Sequence, residues 1–240
     1  MKSLLDRYIP STARFRPNTV SEFFALRLAQ KLEDAVAVRH YVSLLEGQTI
    51  SQLLVAYRRA IQAGRNRDLG RQFLLEVNSL RGNGYHDPHS SLMAIRVERR
   101  TVAAAVFSDL HLEYADSRQL SSARDRALSS AVGFIAWMLN RFPVESAALE
   151  TIPNGNEIQR RVLHNEICQV LRDRMLPIWE IPKIVLLESF GHPPLRFRTD
   201  LREVATQIWP VIAGSHAKLF VQDAAMLGLH VQTERLFIIN

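Results

Sequence analysis

Arginine is the residue type whose grouping first suggests chemistry in this chain. Arg58, Arg59, Arg65, Arg67 and Arg71 are crowded into one short stretch. A guanidinium is a planar, permanently charged fork that suits phosphate oxygens, so such a cluster fits contact with a nucleic-acid backbone; without a partner it is a solvated helix face. A second group, Arg196-Phe197-Arg198, follows the rigid pair Pro193-Pro194. Two cations around an aromatic ring can hold a backbone phosphate and stack on a base, and the alternative is a plain surface loop. His86-Asp87-Pro88-His89 brings two imidazoles together, but its proline and the lack of a further nearby Cys or His make it a loop instead of a metal site. The single cysteine, Cys168, excludes an internal disulfide and any cysteine-based zinc site. It stands at an apolar position of a helical pattern and reads as a small buried hydrophobe. No Gly-rich phosphate loop of the Walker type occurs, so ATP use has no support. No signature of a Ser or Cys nucleophile is visible.

Composition frames these groups. The 240 residues carry 30 Lys+Arg against 24 Asp+Glu, a formal charge of +6. Residues 1–90 hold 13 basic and 8 acidic residues, and residues 91–240 hold 17 and 16, so most of the surplus lies in the first third. With 47% hydrophobic and 22% charged residues, the chain has the composition of an ordinary folded protein able to bury a sizeable core. Its apolar stretches, such as Ala103 to Phe107 and Ile184 to Leu187, fall far short of the ~20 residues of a membrane helix. Charge interrupts Met1-Lys2-Ser3-Leu4-Leu5-Asp6-Arg7 before a signal-peptide core forms. A soluble, cytoplasmic chain without membrane contact is the expectation.

The elements that must position these residues change character near residue 90. Before it the spacing is helical. Thr19 and Glu22 have the form of a capping box ahead of Phe23, Phe24, Leu26, Leu28, Leu32, Val36 and Val38. Further helices are predicted over Ile50 to Ala63 and Leu69 to Leu80. The run Gly82-Asn83-Gly84 through Pro88 reads as a linker, dividing a helical segment, residues 1–84, from a domain over residues 90–240. In that domain Leu92 to Glu98 and Thr101 to Phe107 flank Arg99-Arg100, a gap that only a hairpin fits, and His111 to Arg118 forms a third strand. Ser121 or Ser122 then caps a helix from Ala123 to Phe142, apolar around much of its circumference and expected to be largely buried. Ser146 to Glu150 reads as a central strand covered on both faces. A helix opens at Asn154 and Glu157, Pro177 to Ile181 forms a fifth strand, and Ile184 to Phe190, Thr199 to Trp209 and His216 to Arg235 are mainly helical.

Three antiparallel strands followed by helix, strand, helix, strand and helix is the element order of the RNase H-like fold. Ala147-Ala148-Leu149-Glu150 resembles the strand of the RuvC-like family that ends in a catalytic glutamate. Trp179-Glu180-Ile181-Pro182-Lys183 to Gly191, followed by Leu201-Arg202-Glu203-Val204, resembles that family's segment of strand, proline, short helix, glycine and helix. Asp223-Ala224-Ala225-Met226-Leu227-Gly228-Leu229 is similar to its last helix. The likeness spans roughly residues 90–232 and implies an α/β fold, a mixed five-stranded sheet with flanking helices, preceded by the N-terminal helical segment. It also implies carboxylates that hold two divalent metals, Mg2+ or Mn2+, to activate water against a phosphodiester. Glu150 and Asp223 match two of those metal-ligating, catalytic positions. The family's other two positions differ here: Arg96 stands where the first strand carries aspartate, and Met226 where the last helix carries its second acid. Glu98, on the same sheet face as Arg96, becomes a third ligand if the hairpin shifts.

Two principal readings follow. Either Glu150, Asp223 and Glu98 serve a metal-dependent endonuclease acting on branched or duplex DNA, or cleavage is lost and the fold binds nucleic acid, with Arg96, Glu150 and Asp223 forming a structural charge cluster. DNA or another nucleic acid is the expected partner in both, through Arg58, Arg59, Arg65, Arg67, Arg196 and Arg198. A protein-interaction scaffold, with a partner held by the helical segment, is the remaining alternative.

Overall fold

The computed structural model describes residues 15–32, 48, 50–63, 69–80, 90–152, 157–191, 193–213 and 218–238. The chain divides into two compact units. One comprises Met1–Pro88 with Ser189–Pro194 and Thr233–Asn240, and the other comprises His89–Glu188 with Leu195–Gln232. Two short later segments thus count with the first unit. Val36, Val38, the 82–88 run, both histidines of the His86 motif and Asn154 lie outside the described residues.

In the first unit, α1 (Val20–Leu32) begins with a variation on the expected box. Glu22 N–H donates to Thr19 Oγ1 at 3.1 Å, but the Glu22 carboxylate accepts from Asn18 N–H at 2.6 Å. Its apolar side is buried: Phe23 stacks on Phe190 at 4.1 Å between centroids, and Phe24 on Phe237 at 5.3 Å. The next helices, α2 (Ile50–Ala63) and α3 (Leu69–Ser79), fall where the spacing predicted them.

The second unit is built on a sheet. β1 (Ser91–Glu98), β2 (Thr101–Ser108) and β3 (His111–Gln119) form an antiparallel meander. Next along the chain come α4 (Arg124–Arg141), β4 (Ser146–Glu150), α5 (Ile158–Asp173), β5 (Ile178–Ile181), α6 (Lys183–Ser189), α7 (Arg198–Ile208) and α8 (Leu219–Phe237), of which Ser189 and the residues from Thr233 count with the first unit. The strand order is β3-β2-β1-β4-β5, with β4 parallel to β1 and β5 parallel to β4. Such parallel neighbours need helical crossovers, which α4 and α5 supply.

Alternation along the strands gives the sheet two apolar faces. Met93, Ile95, Val97, Ala147 and Leu149 pack with Ala131, Ile135 and Met138 of α4 and Leu163, Ile167 and Leu171 of α5. On the opposite face, Phe107 meets Trp209 edge-on at 5.9 Å, and Gly228 of α8 approaches Phe107 and Ala94 so closely that a Cβ on it would lie 2.3 Å from the Phe107 ring. Only glycine lets α8 lie this low on β1 and β2. The expectation for α4 needs correction. One face is buried, whereas Trp137 is 46% exposed and Arg124 to Arg126 are exposed, because the sheet covers one side of the helix. Its N-cap is Ala123 without a side-chain bond; Ser121 Oγ instead accepts from Ala123 N–H at 3.2 Å.

Candidate functional site

Register creates the site. Ile95 of β1 pairs with Leu149 of β4, so one residue further along these parallel strands Arg96 and Glu150 stand side by side on the face opposite α4 and α5. Both are buried, as is Asp223, carried onto the same face by α8 above the Gly228 contact. Arg96 Nη1 lies 2.7 Å from Glu150 Oε1 and Nε lies 3.7 Å from Asp223 Oδ2. The first contact is off the hydrogen-bond direction and is therefore an ion contact, whereas Nη2 is hydrogen-bonded to Glu98. The β1–β2 hairpin closes on Arg99-Arg100 with Glu98 opposite Thr101, which keeps Glu98 at the strand end.

Three further arginines enter the cluster. Arg198, the first residue of α7, donates from Nη2 to both Glu150 oxygens, at 2.6 and 2.7 Å, and its Nη1 lies 3.1 Å from Asp223 Oδ2. One turn later, Arg202 makes a bidentate pair with Asp223, Nε to Oδ1 at 2.9 Å and Nη2 to Oδ2 at 2.8 Å. Arg160, near the start of α5, donates from Nε to the Val97 carbonyl at 2.8 Å and pairs with Glu157 at 2.7 Å, with Glu98 at 3.7 Å and Glu150 at 4.0 Å. Arg96, Arg160, Arg198 and Arg202 thus face Glu98, Glu150, Glu157 and Asp223, and the formal charges balance.

The electrostatics follow from burial and from neighbours. Desolvation pushes the Arg96 pKa below its ordinary value; Glu150 pulls it up, Arg198 pushes it down, and Glu98 and Asp223 pull it up, with the net change downward. Arg198 moves the other way: burial alone lowers it, but Asp223 and Glu150 outweigh that and raise it. Arginine remains a cation throughout this range.

The other residues singled out in the sequence are scattered. Arg58 Nη2 donates to the Leu236 carbonyl at 3.1 Å, and exposed Arg59 lies 4.0 Å from Glu76, both within the first unit. Arg65 and Arg67 lie outside the described residues. Arg196 and Phe197 are exposed, but Arg198 is no loop cation facing solvent: the carboxylates have drawn it into the cluster as α7 begins. Arg160 and Arg202 escaped the sequence reading. Arg202 had a signal, since it lies one turn from Arg198 on the same helix face; Arg160 had none.

No protein-family model matches the chain, and no curated protein matches it. Solved structures do resemble it in fold. Thermus thermophilus RuvC in complex with Holliday junction substrate superposes with a TM-score of 0.50 at 14% identity, covering 62% of this chain and 96% of that one. A second Thermus thermophilus RuvC structure gives 0.49 at 13%, covering 61% and 96%. The yeast mitochondrial Holliday junction resolvase Ydc2 gives 0.45 at 7%, covering 77% and 96%. The second unit has the RuvC-like form of the RNase H-like fold, a mixed five-stranded sheet with flanking helices. Among the described residues, no helix is long and apolar enough to cross a membrane.

Proposed function

We propose that this chain is a nucleic-acid-binding protein on a RuvC-like fold in which guanidinium groups replace the divalent metals, so that cleavage is lost. The observation that carries this reading is the contact of the buried Arg96 with Glu98, Glu150 and Asp223 at the point where β1, β4 and α8 converge. Every oxygen of Glu150 and Asp223 already has an arginine nitrogen within 2.9 Å, so the residues present do not fit a metal without displacing a guanidinium. Charge balance points the same way. A dication added to a neutral cluster must repel Arg96 and Arg198, while arginine supplies positive charge without an activated water.

Nucleic-acid binding is supported by the fold shared with a RuvC bound to Holliday junction DNA and by the basic surplus of the chain. Exposed Arg99 and Arg100 at the β1–β2 turn, and exposed Arg196 and Phe197 before α7, offer phosphate and stacking contacts near the cluster. Binding is expected to be of backbone type, with an affinity that falls steeply as salt rises.

The test incubates the full chain with duplex, single-stranded and four-way-junction DNA, measuring binding across a salt series and cleavage in Mg2+ or Mn2+. Salt-dependent binding without cleavage is expected. Efficient cleavage that vanishes in Glu150→Gln or Asp223→Asn would establish the endonuclease reading, which the burial and convergence of these two carboxylates favour. Absence of binding to every DNA even at low salt would remove the nucleic-acid reading altogether.

A further inference from the structure

A second cluster lies on the other face of the sheet. His164 and Cys168 are one turn apart on α5, which puts both on the same side of the helix, and Glu180 of β5 approaches them. One ligand atom from each falls within 4.8 Å of the others, and His164 Nδ1 lies 3.6 Å from Cys168 Sγ. Metal–ligand bonds of about 2.0–2.3 Å in a tetrahedron place ligand atoms roughly 3.5 Å apart, so the His–Cys pair already has the spacing of a chelate. Both residues are more than nine-tenths buried, and the imidazole nitrogen turned towards the thiol is Nδ1. Glu180 is exposed and provides a way in from solvent.

We propose that His164, Cys168 and Glu180 form a binding site for a borderline transition-metal dication of the Zn2+ type, with water at the fourth position. The donor set selects the metal: thiolate and imidazole suit Zn2+ and Co2+, whereas Mg2+ and Ca2+ prefer an all-oxygen shell. A reactive thiol is the competing role for Cys168, but such thiols sit in exposed, electropositive surroundings, whereas Cys168 is buried. The bound ion would tie β5, one of the two edge strands of the sheet, to α5. Arg172, whose charge reaches both His164 and Cys168, opposes it, as does Arg160, whose charge reaches His164. The expectation that a single cysteine rules out any cysteine-based zinc site holds only if cysteine must repeat; here three different ligand types lie together instead.

Titration of the purified full chain with Co2+, then displacement by Zn2+, tests this. One equivalent of Co2+ is expected to give a thiolate-to-cobalt charge-transfer band with tetrahedral d–d absorption, both removed by Zn2+. Cys168→Ala should abolish the band while retaining the circular dichroism of the wild type. Glu180→Gln, at an exposed position, should weaken binding by at least about tenfold, since even groups that only orient a ligand cost 10–100-fold. Arg172→Gln should tighten it. Lack of a charge-transfer band at excess Co2+, or the same spectrum in Cys168→Ala, would overturn the proposal. If Cys168→Ala does not fold, unchanged affinity in Glu180→Gln does so.

Discussion

Arg198 grips both carboxylate oxygens of Glu150, at 2.6 and 2.7 Å, with a single nitrogen. Its other terminal nitrogen lies 3.1 Å from Asp223, so one side chain at the start of α7 ties the end of β4 to α8. These acids come from elements far apart in sequence, and like charges held so close would repel unless a cation stood between them. The arginines are therefore part of what lets β1, β4 and α8 converge.

Helix α8 can hold Asp223 in place only if it stays low on the sheet, and Gly228 sets that height. In Gly228→Ala the new methyl would lie 2.3 Å from the Phe107 ring and 3.1 Å from Ala94 Cβ. Phe107 is fully buried beside Trp209 and has little room to retreat. Overpacking of this kind costs about 1–3 kcal/mol, more than the ~1 kcal/mol alanine recovers in a helix interior. Chemical denaturation should show net destabilisation. A Gly228→Ala protein as stable as the wild type would mean that α8 has no such close contact.

Met175 is strained in the opposite sense. It follows α5 with φ of 57° and is 91% exposed, so it has a left-handed backbone without the packing that would favour a large side chain. Its N–H caps the Arg172 carbonyl at 2.8 Å while Leu176 N–H reaches back to Leu171, the turn in which helices usually place glycine. Met175→Gly should stabilise the protein by up to about 1 kcal/mol, after the entropy lost by glycine is set against the relieved strain. A lower thermal midpoint for the variant would contradict this.

The sheet was legible because periodicity and hairpin length are local signals. Glu98-Arg99-Arg100-Thr101 fixes the first turn, and Ser146 to Glu150, apolar on both faces, could only be a covered strand. The neighbourhood of Arg96, Glu150 and Asp223 was legible through resemblance to a known arrangement. The identity of the counter-ions was not. Arg198 looked like a loop cation because a sequence gives no sign that a buried carboxylate 48 residues away will claim it. Arg160 reaches Glu98 and Glu150 only because α5 begins beside the end of β1, a relation that exists only in three dimensions. The exposed half of α4 was missed for a related reason: apolar residues such as Trp137 fill the helix sequence, but one sheet face can cover only one side.

Glu234 should give the first unit a pH-dependent element. Burial alone would raise its pKa, but Arg27 and Lys31 outweigh this and hold it below the ordinary carboxylate range. A depressed folded-state value means that the carboxylate contributes stability above its unfolded pKa of about 4.3 and loses it as pH falls through the lower folded value. Glu234→Gln should therefore be less stable than the wild type at neutral pH, with the gap closing in acid below about pH 4. Urea unfolding of both proteins across that range measures the gap. A difference that stays constant with pH would show that the ion pairs contribute nothing.

The strongest test of guanidinium in place of metal is to reverse the charge of Arg96. Removing one partner of a buried pair leaves an uncompensated charge and costs about 3–5 kcal/mol. Arg96→Asp goes further, adding an acid beside Glu98, Glu150 and Asp223 and leaving Arg160, Arg198 and Arg202 to balance a larger negative charge. Such a cluster should recruit a dication. Mg2+ is the right probe, because it prefers oxygen ligands and does not suit the His164–Cys168 pair. The wild type should show no change in thermal midpoint with millimolar Mg2+. Arg96→Asp should start lower and recover part of the loss as Mg2+ is added, and a further Glu150→Gln substitution should cancel that recovery. Cleavage need not return, since Met226 is buried on α8 three residues after Asp223 and offers no oxygen. If the wild type is stabilised by Mg2+ as much as Arg96→Asp is, or the variant does not respond at all, the idea that arginine stands in for metal fails.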